Sequence, residues 1–272
     1  MHLNPELAAI ALANLLALPL AAQTIFQATL GETAYPPEIS TVQLSQILLE
    51  RSALVLDARP HLEYSISHIP GALNVAAKPG VPASEYVSDV AEVARLVKLD
   101  RSTPLVLYCN GPFCGKSKRL GADLRDDHFT NVRRYQLGIP TWRALGGVTQ
   151  IEAAGLAYVY WKDRTAVWID VREPADFARK TLRRTRVVNI PRSLVLEGKD
   201  VGEIKKAKDD GRLPVNDHDT RIVVFGATEA DARFVTNAVA KEAFHNVSFF
   251  AGTLADIRAA IKAGEEEDEH EN

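Results

Sequence analysis

Cysteine is scarce in this chain of 272 residues: there are two, Cys109 and Cys114. Thiols five positions apart in one loop cannot staple a small domain, so a disulfide scaffold is excluded, and no paired histidines stand beside them at zinc-ligand spacing. Neither a metal nor another cofactor is expected. A large excess of charge of one sign is also missing. The net charge of −3 argues against a nucleic-acid binder that works by broad phosphate neutralisation. The basic clusters Arg183-Arg184-Thr185-Arg186 and Lys205-Lys206-Ala207-Lys208 read as solvated faces, the second lying among Glu203, Asp209 and Asp210. The apolar stretch Leu7 to Ala22, interrupted by Asn14 and Pro19, is short of the roughly 20 residues of a spanning helix. No charge falls between Glu6 and Glu32. The stretch has the length of a signal-peptide apolar region with Ala21-Ala22 as its exit, although no Lys or Arg precedes it and Leu20 suits such a cut poorly. Residues 1–35 are read as a signal-peptide segment, giving a periplasmic or secreted protein. An uncleaved membrane anchor, or a helix docked on the domains of a cytoplasmic protein, is the alternative.

With 46% apolar and 25% charged residues, the remainder has the composition of an ordinary soluble protein, long enough for about two domains. Short β-rich runs alternate with helical patterns, which argues for an α/β architecture of mostly parallel sheets covered by helices on both faces. Helices are expected over Val42–Glu50, Tyr86–Val97, Lys116–Arg125, Trp142–Leu145 and Glu229–Phe244. Strands are expected over Ala53–Leu56, Leu105–Tyr108, Ala166–Ile169, Val187–Asn189, Ile222–Phe225 and Val247–Phe250. Residues 148–160 read as the linker and the entry to the second copy, and the acidic run from Gly264 to Asn272 as a solvated, disordered tail.

Both cysteines lie in Pro104-Leu-Val-Leu-Tyr-Cys109-Asn-Gly-Pro-Phe-Cys114-Gly-Lys116: a strand, a loop and a helix start. In an open parallel sheet the site lies beyond the carboxyl ends of the strands, which is where Cys109 and Asp57 fall. Backbone N–H groups at a helix start, with Lys116, Lys118 and Arg119 nearby, favour an anion there, so Cys109 is the candidate nucleophile held as thiolate. The N–H groups from Asn110 through Gly111, Pro112, Phe113 and Cys114 to Gly115 read as a concave nest for an anionic sulfur, proline contributing none.

Upstream stand Val55-Leu-Asp57-Ala-Arg59-Pro60, then Glu63-Tyr64, then Ser67-His68-Ile-Pro-Gly71-Ala72-Leu-Asn74-Val75. Downstream come Val132 and Leu137-Gly138-Ile-Pro-Thr-Trp142. This order and spacing resembles the rhodanese (sulfurtransferase) family. The pattern recurs in the second half of the chain. Ala166-Val-Trp-Ile-Asp170-Val-Arg172 echoes Ala53-Leu-Val-Leu-Asp57-Ala-Arg59, Arg221-Ile-Val-Val-Phe-Gly226 echoes Pro104-Leu-Val-Leu-Tyr-Cys109, and Phe250-Ala-Gly252 echoes Gln136-Leu-Gly138. The chain thus resembles a tandem of two such domains, a catalytic one over residues 38–147 and a non-catalytic one over 150–264, followed by the acidic tail 265–272. Gly226 takes the nucleophile position in the second copy, and the His-x-x-Gly-Ala element is missing there.

The resemblance implies double displacement. The Cys109 thiolate attacks the outer sulfur of an anionic donor such as thiosulfate, a polysulfide or mercaptopyruvate, and the resulting persulfide passes to a thiol or cyanide. Asp57 and Arg59 match a family pair read as structural, tying the strand end to neighbouring loops, while His68 caps or packs and Trp142 belongs to the core. Many members carry an arginine or threonine five residues after the cysteine, where this chain has Cys114. That replacement raises a second reading, in which Cys109 and Cys114 form a redox pair. A phosphatase of related fold needs an arginine where Gly115 stands, which argues against that activity. A sulfur carrier or binding module without turnover is the non-enzyme alternative.

Overall fold

The computed structural model describes residues 24–31, 35–76, 90–183 and 185–271, with side chains through Glu265. The apolar segment Leu7–Ala22 and the expected helical residues Tyr86–Asp89 lie outside them.

The first half runs α1 (Thr41–Glu50), β1 (Leu54–Asp57), α2 (His61–Ile66), β2 (Leu73–Asn74), α3 (Val90–Leu96), β3 (Leu105–Tyr108), α4 (Lys116–Asp126), β4 (Val132–Tyr135) and α5 (Gly138–Ala144). Its four strands form a parallel sheet in the order β2-β1-β3-β4. The second half runs β5 (Thr149–Ile151), α6 (Ala153–Lys162), β6 (Val167–Asp170), α7 (Pro174–Arg179), β7 (Arg186–Asn189), α8 (Gly202–Asp209), β8 (Ile222–Phe225), α9 (Glu229–Ala240), β9 (Val247–Phe250) and α10 (Leu254–Glu271). It forms a parallel sheet of five strands in the order β5-β9-β8-β6-β7.

Burial on both faces explains why the central strands read as unbroken apolar runs. Along β3 the period of two sends Leu105 and Leu107 into a cluster with Val93, Leu120 and Leu124. Val106 and Tyr108 point the other way, into a cluster with Leu44, Ile47 and Trp142. The second sheet repeats the division, with Val224 packed among Ile204, Val235 and Val239 and Val223 and Phe225 among Leu156, Tyr160 and Ile257. Local chemistry fixes the helix starts. Ser40 and Gln43 exchange side-chain and backbone hydrogen bonds at the head of α1, and the Thr228 hydroxyl accepts from the Asp231 N–H at the head of α9.

Residues 148–160 are the entry to the second half, structured from the start: β5 pairs with β9, and α6 packs on α2 and α10. The acidic run does not leave the fold as an irregular tail, since α10 continues through it to Glu271. Once Leu254 and Ile257 anchor the first turns in the core, each added residue extends the helix without a new nucleation cost.

The two halves meet along α2. His68 and Gln150 exchange backbone hydrogen bonds of 3.0 and 2.9 Å, and the Glu152 N–H donates to the Ser65 carbonyl at 2.8 Å. Gly155 is required at this crossing, because a Cβ there would lie 2.0 Å from the Ser65 carbonyl oxygen. The His68 ring stacks on Tyr64 with centroids 4.0 Å apart, and its Nε2 lies 3.4 Å from the Glu152 carboxylate. Burial lowers the His68 pKa from 6.5 to about 4. It packs and bridges here as a neutral ring.

Candidate active site

Cys109 follows the last residue of β3, beyond the carboxyl end of the strand and with only 1% of its surface exposed. The adjoining strand end is pinned from β1. Arg59 and the buried Asp57 form a two-pronged pair, closed by the Arg59 N–H donating back to Asp57 at 2.9 Å. The same guanidinium donates to the Ser67 carbonyl at 2.6 Å. Asn74 ties the carbonyls of Asp57 and Arg59 at 3.2 and 2.9 Å, and the Tyr108 hydroxyl donates to Asp57 at 2.6 Å. Burial pulls the Arg59 pKa down, but the charge of Asp57 and its hydrogen bond to the guanidinium outweigh it, and the net shift is upward. Asp57 and Arg59 therefore hold the strand end and its neighbouring loop, and their contacts are with the fold.

Beyond Cys109 the chain turns through Gly111, whose φ of +103° suits glycine, and the Cys114 N–H closes the turn onto the Gly111 carbonyl at 3.0 Å. Gly138 permits the loop to lie flat on the start of α5. A Cβ at that position would fall 2.3 Å from the Cys109 carbonyl oxygen and 2.4 Å from the Gly111 nitrogen. The Gln136 amide holds the Pro112 carbonyl from the same side. Glu63 of α2 clasps the loop's two ends, accepting from the Asn110 side chain and lying 3.9 Å from the Lys116 ammonium. Phe113 projects fully into solvent at the tip.

The charge sits on a different sulfur from the one the sequence suggests. The Cys109 thiol donates to the Cys114 carbonyl oxygen at 3.3 Å. Its hydrogen bonding to Cys114 and its burial push its pKa well up, against the opposing pull of Ser117. Cys114, half-buried, lies in contact with the Cys109 thiol and receives hydrogen bonds from the N–H groups of Lys116 and Asn110, with the Lys116 charge nearby. These draw its pKa from 9.0 down to about 6. The first proton lost belongs to the pair, and the backbone donors place the resulting negative charge on Cys114. Cys109 as a resting thiolate is thus corrected: its proton is retained because it lies deeper and donates to its neighbour. The nest also differs from expectation, since its N–H groups at Asn110 and Lys116 are directed at Cys114, while the Cys114 N–H is engaged by Gly111.

Two residues with no signature in the sequence complete the site. The Ser117 hydroxyl of α4 lies 3.3 Å from the Cys109 sulfur and accepts from Nε of the buried Arg134 of β4 at 3.2 Å. With its oxygen engaged by that guanidinium, the hydroxyl can donate to sulfur and stabilise a negative charge on Cys109. Of the three cations expected to attract a donor, Lys116 reaches the loop, whereas Lys118 and Arg119 are exposed farther along α4. Gly115 is the residue preceding α4 and offers no side chain to clamp an anion.

The second copy keeps the pins and loses the loop. Arg172 pairs with the buried Asp170 and donates to the Lys180 carbonyl at 2.7 Å. Asn189 ties the carbonyls of Asp170 and Arg172, and the Thr181 hydroxyl supplies the hydrogen bond to Asp170 that Tyr108 gives to Asp57. Between β8 and α9, however, the loop is confined to residues 226–228, against 109–115 in the first copy. At Gly226 a Cβ would meet Val171 Cγ2 at 2.7 Å. On α8, Lys208 is held by Asp200 and Glu242, and Lys205 by Asp209. Among the described residues no cluster of His, Cys, Asp and Glu is arranged to hold a metal ion, and no helix is long and apolar enough to cross a membrane.

Comparison with known proteins agrees with the repeat. Over 106 residues, 38% of this chain, the sequence is 32% identical to the HTH-type transcriptional regulator Rv0324 of Mycobacterium tuberculosis, of which it spans 41%. A thiosulfate sulfurtransferase from Pseudomonas aeruginosa is 19% identical, with a TM-score of 0.35 over 81% of this chain and 44% of its own. The 3-mercaptopyruvate sulfotransferase SseA from Escherichia coli is 21% identical, with a TM-score of 0.30 over 78% of this chain and 96% of its own. The family model for the rhodanese-like domain matches residues 40–145 and again 159–260. Those two matches cover well over half of the sequence, and the chain is a tandem member of the rhodanese-like domain family.

Proposed function

We propose that the chain is a sulfurtransferase whose first domain carries sulfane sulfur on Cys109. The observation that carries this reading is the setting of the Cys109 sulfur at the carboxyl end of β3, between the Ser117 hydroxyl backed by Arg134 on one side and the charged Cys114 sulfur on the other. The Cys109 proton passes to water as the donor arrives. The Cys109 thiolate, held by Ser117, attacks the outer sulfur of the donor. With thiosulfate, the sulfur–sulfur bond of the donor breaks as the Cys109 persulfide forms, and sulfite leaves with the bonding pair. The donor class is small and anionic, with thiosulfate, polysulfide and mercaptopyruvate all compatible, and the acceptor is a thiol or cyanide. The Lys116–Glu63 pairing leaves only a modest positive field at the mouth, which favours a donor that needs no side-chain clamp.

The second domain contributes scaffolding. It grips α2 through Ser65 and His68, and α2 presents Glu63 to the loop. Transfer from each of the three donors to cyanide tests this reading. The full chain turns over with at least one donor, and Cys109→Ser abolishes the reaction. Retained transfer in folded Cys109→Ser would overturn it, and inactivity of the native chain with all three would favour a carrier or binding module.

A further inference from the structure

Cys114 stands where the outer sulfur of a Cys109 persulfide must go. A persulfide adds one anionic sulfur beyond the buried Cys109 Sγ, which Ser117 flanks and the Cys114 carbonyl approaches at 3.3 Å, and the N–H groups of Asn110 and Lys116 beside Cys114 are the donors suited to be its berth. In the resting loop the Cys114 sulfur occupies that berth, in hydrogen-bonding contact with the Cys109 thiol and both free of any disulfide. The two groups compete for one set of N–H donors. Displaced from it, the Cys114 sulfur remains tethered next to the sulfur–sulfur bond, a nucleophile already delivered by a five-residue tether and therefore at high effective concentration.

We infer that Cys114 resolves the Cys109 persulfide: its sulfur attacks Cys109 Sγ, the outer sulfur leaves as hydrosulfide, and the loop closes as a Cys109–Cys114 disulfide. This rests on the reading of Cys109 as the persulfide carrier and adds to it a release route and a partner class. The step balances. A bond forms between the two cysteine sulfurs, the persulfide bond breaks, and the departing sulfur takes the bonding pair and a proton from water. The disulfide returns to two thiols by exchange with a dithiol reductant, which is oxidised in turn. Over a full cycle one sulfane sulfur is reduced to sulfide and one dithiol becomes a disulfide. The acceptor is accordingly a thiol reductant of the loop, and cyanide is a laboratory substitute that intercepts the persulfide earlier. The fully exposed Phe113, next to Cys114 at the loop tip, gives such a reductant an apolar contact beside the bond it must reach.

The test is single-turnover mass analysis of the reduced, desalted full chain, native and as Cys114→Ser and Cys114→Ala, after thiosulfate, mercaptopyruvate or inorganic polysulfide. Free sulfide is followed in the first two cases. The native chain is expected to lose the mass of two hydrogens and to release one sulfide per chain. Both variants are expected to retain the mass of one added sulfur and to release sulfide only after dithiothreitol is supplied. A native chain that keeps its added sulfur as the variants do would overturn the resolving role while leaving the persulfide carrier standing. A disulfide that forms equally fast without donor would overturn it as well. Absence of added sulfur, disulfide and sulfide in native chain and variants, with all three donors, would remove the carrier reading and the resolving role together.

Discussion

Alkylation of the loop separates the two thiols. The structure assigns the accessible negative charge to Cys114, so a small electrophile such as iodoacetamide should mark Cys114 first and Cys109 slowly. The size of the preference follows from two opposed effects. With its pKa drawn from 9.0 to about 6, Cys114 is about nine-tenths thiolate at pH 7, against about one-hundredth for an unperturbed thiol. A less basic thiolate is also a weaker nucleophile, and a Brønsted coefficient of about 0.45 removes about twentyfold over three units. At pH 7 the two effects nearly cancel, leaving about fourfold over an ordinary cysteine. At pH 5 the thiolate fraction of an ordinary thiol has collapsed, and the net advantage of Cys114 grows to about fortyfold by the same arithmetic. The decisive measurement is therefore made in mild acid: peptide mapping of partially alkylated full chain, with a rate profile for Cys114 that rises through a midpoint near its pKa. Cys109 labelled ahead of Cys114 at pH 5, or a Cys114 midpoint at the position of a free thiol, would refute the assignment of charge within the pair.

Acid should weaken the fold through His68. Its folded pKa is lowered from 6.5 to about 4 by burial, so the unfolded chain binds the extra proton between those values; the contribution is intact above about 6.5 and is lost as pH falls toward 4. Between pH 7 and 5 the linkage amounts to about 2 kcal/mol, reduced by whatever the Glu152 carboxylate returns to the protonated ring, and urea denaturation should show His68→Gln with a flatter dependence over that interval. An unchanged slope would mean that the ring titrates normally. Gly155→Ala should cost about 2–3 kcal/mol, because its Cβ would press the Ser65 backbone; a thermal midpoint equal to that of the native chain would show that α2 and α6 do not meet this closely in solution. Gly226→Cys should gain no transfer activity on a Cys109→Ser background, since Val171 fills the space a side chain needs, and any recovered turnover would contradict the scaffolding role of the second copy.

What the sequence revealed was decided by burial. Strands β3, β8 and β9 are buried throughout, so their runs mark their ends to the residue. Short elements whose stability comes from tertiary contacts leave no such mark. Helix α2 has six residues and β5 has three, too few for a periodic signal; α2 is packed by α6 of the other half, and β5 is held at the edge of its own sheet by β9. Within the site, Cys109 and the loop followed from position along the chain. Ser117 and Arg134 did not, because their role arises from β4 lying beside β3, which no local spacing encodes. One trace of Arg134 was present: in Val132-Arg133-Arg134-Tyr135, an arginine occupies a position where the strand turns inward, and long cations are rarely buried without a partner. The protonation order of the two cysteines was out of reach for a similar reason. Position on the strand suggests a thiolate at Cys109, whereas the proton's place depends on which sulfur the Asn110 and Lys116 N–H groups face.

The two copies separate what the fold requires from what the chemistry requires. Both retain the buried Asp–Arg pair, the asparagine that ties the same two carbonyls and a hydroxyl donated to the aspartate, and the hydroxyl comes from different places, Tyr108 in one and Thr181 in the other. A contact rebuilt from a different residue is demanded by the strand end itself, since a buried carboxylate with an unfilled acceptor site is costly wherever the fold repeats. The loop behaves in the opposite way. In the second copy it contracts to Gly226–Thr228 and its core side closes with Val171, yet the strand, the helix after it and the pins remain in place. Loop length is therefore free of the fold's demands, and the extra turn between Cys109 and Lys116 is held by contacts that serve it alone: Glu63 at its two ends, Gln136 on Pro112 and Gly138 beneath. In the first copy those residues spend their contacts on positioning two sulfurs against each other. A single nucleophile would not need the second sulfur held in the same berth, and this is the structural reason for treating Cys109 and Cys114 as one reacting unit.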